Sequence, residues 1–254
     1  MLIDTHCHFD DDSFDHDRDA VWQRAMNAGV TTQVIPAVTA ADWPRVRETC
    51  RRYAGLHPAY GLHPMYTDLH TAAHLTELEQ WLATERPVAI GECGLDFYIE
   101  NPDQEWQRRL FAAQLELARK YDLPVIIHAR RTVEEAILTL RNFPGIRGVL
   151  HSFSGSGEQA RQLMELGFLM SFGGPITYPN ATRLRKLVAE LPLSAMLLET
   201  DAPDQPDAGH RGQRNEPAYL PLILEELATL RNEPAETVAA AANENARRLF
   251  GIPA

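Results

Sequence analysis

Eight short apolar runs, each followed by a stretch of helical periodicity, fill this chain and leave few folds open to it. The runs read as strands at Leu2–Thr5, Thr32–Pro36, Ala59–Leu62, Val88–Gly91, Val125–Ile127, Gly148–Leu150, Phe168–Phe172 and Met196–Leu198. Between them apolar residues recur with a 3.6-residue period. The clearest case is Gln104–Tyr121, where Trp106, Leu110, Ala113 and Leu117 mark one stripe and Phe111, Leu115 and Ala118 widen it. Such alternation means parallel βα units, and eight of them close into an α/β fold, the TIM (β/α)8 barrel. From Glu216 onward the tail reads as two helices, the second opening at Pro234 and stopping at Gly251. The length of 254 residues suits one such barrel or two ordinary domains. No Gly/Ser- or Pro-rich linker divides the chain, so a single domain over 1–254 is expected.

The polar residues fall unevenly on this frame. Just where the apolar run ends, strand one gives His6 and His8, and strand three gives His63. Strands four, five, six and eight give Glu92, His128, His151 and Asp201. In a barrel these ends share the C-terminal rim, where active sites form.

His-x-His on a strand places both imidazoles on one face, because side chains alternate with period two. Their Cα atoms are then only ~7 Å apart, so both rings reach one ion. Cys7, between them, points the other way and reads as packing; the same alternation turns Cys93 from the face used by Glu92. His128 and His151 come from neighbouring strands and suit a second ion. Glu92 lies on the strand beside them, and a carboxylate can bridge two cations ~3.5–4 Å apart. Asp201 completes the first ion's sphere. Water held between two such ions has its pKa lowered toward ~7, and Asp201 is placed to take its proton as general base. Mixed His/carboxylate ligation fits two divalent ions, Zn²⁺ or Mn²⁺, with Mg²⁺ at a more oxygen-rich position.

His63, in Gly-Leu-His-Pro, reads as a substrate contact, with loop capping as the competing role. His16, His57, His70 and His74 fall away from strand ends and read as surface or packing residues. Glu199 shares a face with Asp201 and either supports a ligand or is structural. Arg130 and Arg131 follow His128, and Arg211 and Arg214 follow Asp201. Arginine suits bidentate phosphate contact, and Arg130 carries that expectation most strongly.

The formal net charge of −11 argues against a protein that coats duplex DNA by phosphate neutralisation. It leaves room for an enzyme that takes a nucleic-acid end or a small phosphodiester into a pocket. Three cysteines without CxxC spacing argue against a disulfide framework or zinc ribbon, and the acidic opening is not read as a signal peptide. That cysteine usage makes a reducing cytoplasm the expected compartment, no apolar run of membrane-spanning length occurs, and a monomer without a membrane partner is expected.

The motifs Ile-Asp-Thr-His-Cys-His-Phe, Gly-Leu-His-Pro, Gly-Glu-Cys-Gly-Leu-Asp-Phe and Pro-Val-Ile-Ile-His-Ala-Arg resemble the TatD family of metal-dependent deoxyribonucleases. So do His-Ser-Phe-Ser-Gly-Ser, Leu-Glu-Thr-Asp-Ala-Pro, Arg-Asn-Glu-Pro and Asn-Ala-Arg-Arg-Leu-Phe-Gly. The likeness covers residues 1 to about 252 and is closest to the family's YjjV branch. It implies an amidohydrolase-like TIM barrel, metal ligation by His6, His8, Glu92, His128, His151 and Asp201, and substrate contact by His63 and Arg130. Two positions depart from the family pattern. Ser152 replaces the usual Cys after the strand-six His, which changes no ligand. Asp204 stands where an aromatic or aliphatic residue is common after Asp-Ala-Pro, which removes a stacking surface there.

The leading expectation is phosphodiester hydrolysis, as a deoxyribonuclease or phosphodiesterase. The alternative is an amidohydrolase or lactonase cleaving a C–N or ester bond at the same dinuclear site. A metal-binding scaffold with an idle ligand set is the third reading.

Overall fold

The computed structural model describes residues 1–253. β1 (Leu2–Asp4) is followed by α1 (Arg18–Asn27), β2 (Val30–Pro36), α2 (Trp43–Arg52) and β3 (Leu56–Tyr60). Next come α3 (Ala72–Glu85), β4 (Ala89–Asp96), α4 (Gln104–Tyr121), β5 (Val125–Arg130) and α5 (Val133–Leu140). β6 (Gly148–Leu150), α6 (Gly157–Glu165), β7 (Phe168–Phe172), α7 (Thr182–Glu190) and β8 (Met196–Leu198) complete the alternation. Two helices, α8 (Leu220–Arg231) and α9 (Ala235–Phe250), close the chain, with Pro234 before α9 and Gly251 after it in the left-handed conformation. The strands form one sheet in chain order, β1 to β8, and the registered pairs are parallel.

β6, β7 and β8 stand where the apolar runs end and begin, but β4 and β5 do not. Glu92 and His128, expected just past strand ends, lie inside longer strands. The backbone ladder continues as Cys93↔Ile127, Gly94↔His128, Leu95↔Ala129 and Asp96↔Arg130 although Glu92 and His128 interrupt the apolar runs.

The chain divides into two compact units. The first comprises Met1–Ile35, Thr49–His57 and the chain from Met170 onward. In it β1 pairs with β2, and the Thr5 amide donates to the Leu198 carbonyl at 3.0 Å just beyond the ends of β1 and β8. α9 is fastened to these strands by buried asparagines. Asn243 accepts from the Ile3 amide (3.1 Å) and donates to the Met1 carbonyl (2.9 Å), while Asn245 donates to the Leu193 and Met196 carbonyls.

The second unit comprises Pro36–Glu48 and Pro58–Leu169. Here α4 sends two buried glutamines to the strands: Gln107 brackets the Asp96 backbone and Gln114 that of Leu62, each with one bond to N–H and one to C=O. Backbones approach closely at Gly61 and Gly91. A Cβ on Gly61 would lie 2.6 Å from the Gly91 carbonyl carbon, and one on Gly91 would lie 2.7 Å from Cβ of Ile126. Among the described residues no helix is long and apolar enough to cross a membrane.

Candidate metal centre

In the first unit, donors converge from the ends of β1 and β8. His6 Nε2 and His8 Nε2 lie 3.3 Å apart, with Asp201 Oδ1 at 3.5 and 3.7 Å from them. Two bonds of ~2.0–2.1 Å to one tetrahedral ion set their nitrogens ~3.3–3.4 Å apart, so the pair fits a shared cation. The arrangement is held from behind. Buried Asp4 accepts from the backbone N–H groups of His6 (3.3 Å) and Thr200 (3.0 Å) and from the Thr200 hydroxyl (2.5 Å). Burial pushes the Asp4 carboxyl up to about 8, against the lowering effect of its Thr200 bonds. The Asp201 amide donates to the His6 carbonyl at 2.9 Å, and the Gln205 side chain donates to Asp201 Oδ2. Oδ1 is thereby turned toward the two imidazoles. Glu199, fully buried, accepts from the Ser171 hydroxyl and offers an oxygen within 4.8 Å of a His6 ring nitrogen. Cys7 is buried, its thiol donating toward the Ala202 carbonyl, and burial holds its pKa well above the usual range. It packs and does not ligate.

In the second unit, Glu92 is the hub. Its Oε1 lies 2.7 Å from His151 Nε2, 3.0 Å from His128 Nδ1 and 3.0 Å from His63 Nε2. His128 Nδ1 and His151 Nε2 are again 3.3 Å apart. His128 Nε2 donates to Asp96 Oδ2 at 2.8 Å, which commits the ring's proton there and leaves the Nδ1 lone pair for a ligand role. Burial alone would lower the His128 pKa, but the Asp96 and Glu92 carboxylates outweigh it and raise it. His63 differs. Its Nδ1 accepts from the Met65 amide (3.1 Å), so the neutral ring carries its proton on Nε2 and points it at Glu92. It is a hydrogen-bond donor rather than a lone-pair donor. His70 is buried and donates to the His63 carbonyl at 2.9 Å. Cys93 is buried with its thiol toward the Ile126 carbonyl.

Chain direction changes at these ends. Arg131 (φ 60°), Ser152 (φ 45°) and Asp201 (φ 58°) are all left-handed, one residue past Arg130, at one past His151, and at the carboxylate itself.

The model of a family described as TatD-related DNase matches residues 3–251. The chain belongs to this TatD-related family. It is 44% identical to an uncharacterized metal-dependent hydrolase, YjjV, of Escherichia coli K12, over 99% of this chain and 98% of that one. It is 35% identical to the Bacillus subtilis metal-dependent hydrolase YabD, over 99% and 100%. The crystal structure of E. coli YjjV superposes with a TM-score of 0.95 at 42% identity, covering 99% of this chain and 98% of that one. An uncharacterized amidohydrolase from Saccharomyces cerevisiae shares the fold at a TM-score of 0.83 and 16% identity, covering 98% and 99%. This TatD protein is therefore a TIM barrel and a metal-dependent hydrolase, with His/Glu clusters able to hold metal ions.

Among the arginines, Arg130 is exposed at the end of β5, two residues beyond His128. Arg211 lies over the Tyr178 ring at 5.9 Å. Arg214, expected to help attract phosphate, is occupied elsewhere: it grips Asp17 with both terminal nitrogens, Glu216 at 2.9 Å and the Ser13 carbonyl at 2.7 Å. Three positions in this TatD protein escaped the reading of its sequence. Asp96, Gln205 and Asp4 orient His128, Asp201 and His6, and only their places in the family motifs mark the two aspartates.

Proposed function

We propose that this TatD protein is a phosphodiesterase that acts on nucleic-acid ends or small phosphodiesters. In this reading His6, His8 and Asp201 would hold one divalent ion, and His128, His151 and Glu92 would hold a second. The observation that carries the phosphate reading is Arg130. It stands on the same strand as His128, exposed, and among the described residues its guanidinium forms no ion pair within 4.0 Å, although its charge acts on Asp96. In a chain of net charge −11, a cation beside a histidine-rich cluster suits a bound anion, and guanidinium matches two phosphoryl oxygens.

A bound ion pair supplies Lewis acidity and makes water acidic enough to attack near neutral pH. The chain's own residues do the rest. Asp201, with Oδ2 held by Gln205 and Oδ1 turned toward the His6 and His8 imidazoles, is the carboxylate that would take the proton of the attacking water. Asp96 keeps the His128 ring in the tautomer that ligates. His63 keeps its proton on Nε2, available for a hydrogen bond to substrate once Glu92 is engaged elsewhere. Arg130 clamps the phosphoryl oxygens.

Purified protein given Mg²⁺, Mn²⁺ or Zn²⁺ should cleave bis-p-nitrophenyl phosphate and trim single strands from an end, without nicking closed circular duplex. Cleavage of p-nitrophenyl esters or N-acyl amino acids, with every phosphodiester left intact, would replace this reading with the amidohydrolase or lactonase one.

A further inference from the structure

The tip of β4 in the second unit carries a group that hydrolysis alone does not use. Tyr98, two residues past the strand, is 48% exposed. The Arg130 guanidinium carbon lies 3.8 Å from its ring centroid and that of Arg131 lies 4.3 Å away. Both arginines are exposed, and among the described residues neither forms an ion pair within 4.0 Å. Both guanidinium carbons thus lie within cation–π range of one exposed ring.

The assembly is rigidly mounted. The Phe97 amide donates to the Arg130 carbonyl (3.2 Å), and the Thr132 hydroxyl donates to the Leu95 carbonyl (2.8 Å). Asp96 Oδ1 accepts from the Tyr98 amide at 2.8 Å while its Oδ2 accepts from His128. One carboxylate thus fixes both a candidate ligand imidazole and the backbone that presents the ring. An exposed aromatic ring with two exposed guanidinium groups against it, mounted on the frame of the donor cluster, suits an unpaired nucleobase with its adjacent phosphate. A paired base is already stacked on both sides within its duplex and cannot use it.

We propose that Tyr98, with Arg130 and Arg131, forms a stacking platform that selects an unpaired nucleotide over a bare phosphodiester. Tyr98 acts as a positioning residue that orders the two guanidinium planes. The inference rests on the phosphodiesterase reading for its purpose, though its test does not require turnover.

The test compares binding of two end-labelled tetramers by fluorescence anisotropy: thymidylate, and an abasic strand of equal length and charge. Both carry phosphorothioate linkages, and the protein is metal-loaded. Wild type should bind the thymidylate strand about tenfold more tightly, within the range typical of base stacking. Tyr98→Phe should keep that ratio, because the ring remains. Tyr98→Ala should bring it close to one, whereas Tyr66→Ala, which changes the exposed ring beside His63, should keep it. Thermal melts should agree among the variants, since both rings are partly exposed. A wild-type ratio near one, or a Tyr98→Ala ratio that stays near ten, would overturn the platform. An ordinary thymidylate strand that stays intact with every metal would instead count against the phosphodiesterase reading, leaving the binding ratio to judge the platform.

Discussion

Asp201 combines three properties that are costly for a side chain with no task. Its backbone is left-handed, where a non-glycine residue costs about 1–3 kcal/mol. One oxygen is taken by Gln205, and the other faces two imidazoles at 3.5 and 3.7 Å. Aspartate tolerates that backbone better than most residues, so Asp201→Asn preserves the local conformation while removing charge and basicity. In that variant kcat on a phosphodiester should fall at least ~10²-fold with KM changed far less, as for loss of a general base. Steady-state kinetics at saturating metal check this; near wild-type turnover would show that the proton goes elsewhere. Residues of this kind were legible from the sequence because they are ionisable and stand at strand ends. The partners that aim them were not. Asp96 and Gln205 occupy ordinary positions in a strand and a loop, and only three-dimensional contact reveals that one fixes the His128 tautomer and the other fixes Asp201. Arg214 erred in the opposite direction, a cation near a motif that proves to be fully engaged by Asp17 and Glu216.

At the scale of elements, α4 shows where periodicity succeeds and where it stops. Its extent, Gln104–Tyr121, is that read from the apolar period. Its buried face is turned slightly from the expected stripe: Gln107, Leu110, Phe111, Gln114, Leu115 and Ala118 are buried, while Trp106, Ala113 and Leu117 are only partly so. The rotation brings two amides inward because strand ends present backbone N–H and C=O groups that an apolar side chain would leave unsatisfied. Hydrophobic periodicity gives no weight to a glutamine, so this face could not be read. Gln114 bonds the Leu62 amide at 2.8 Å and its carbonyl at 3.1 Å, immediately before His63. Gln114→Leu should therefore destabilise the protein by about 1–3 kcal/mol, the cost of orphaned buried polar groups. In a chain of this size that is a fall in Tm of roughly 3–10 °C, readable by calorimetry. An unchanged Tm would mean that the bracket contributes nothing. The lengths of β4 and β5 were missed for a related reason: main-chain pairing carries both strands on through Glu92 and His128, where a polar residue interrupts the apolar run.

The whole molecule was the most legible scale. Eight parallel strands in chain order follow from eight apolar runs separated by helical stretches, because strands covered by helices must be apolar and crossovers need helices. What composition could not supply is how each donor set is completed, which depends on atoms a few ångströms apart. The proposed function depends above all on two donor sets serving two ions, His6 and His8 contributing to one, His128 and His151 to the other. Elemental analysis of metal-saturated protein, wild type beside the His6→Ala/His8→Ala double variant, tests it most directly. Wild type should hold about two divalent ions per chain and the variant about one, with phosphodiesterase activity lost in the latter. Full occupancy in the variant would contradict it.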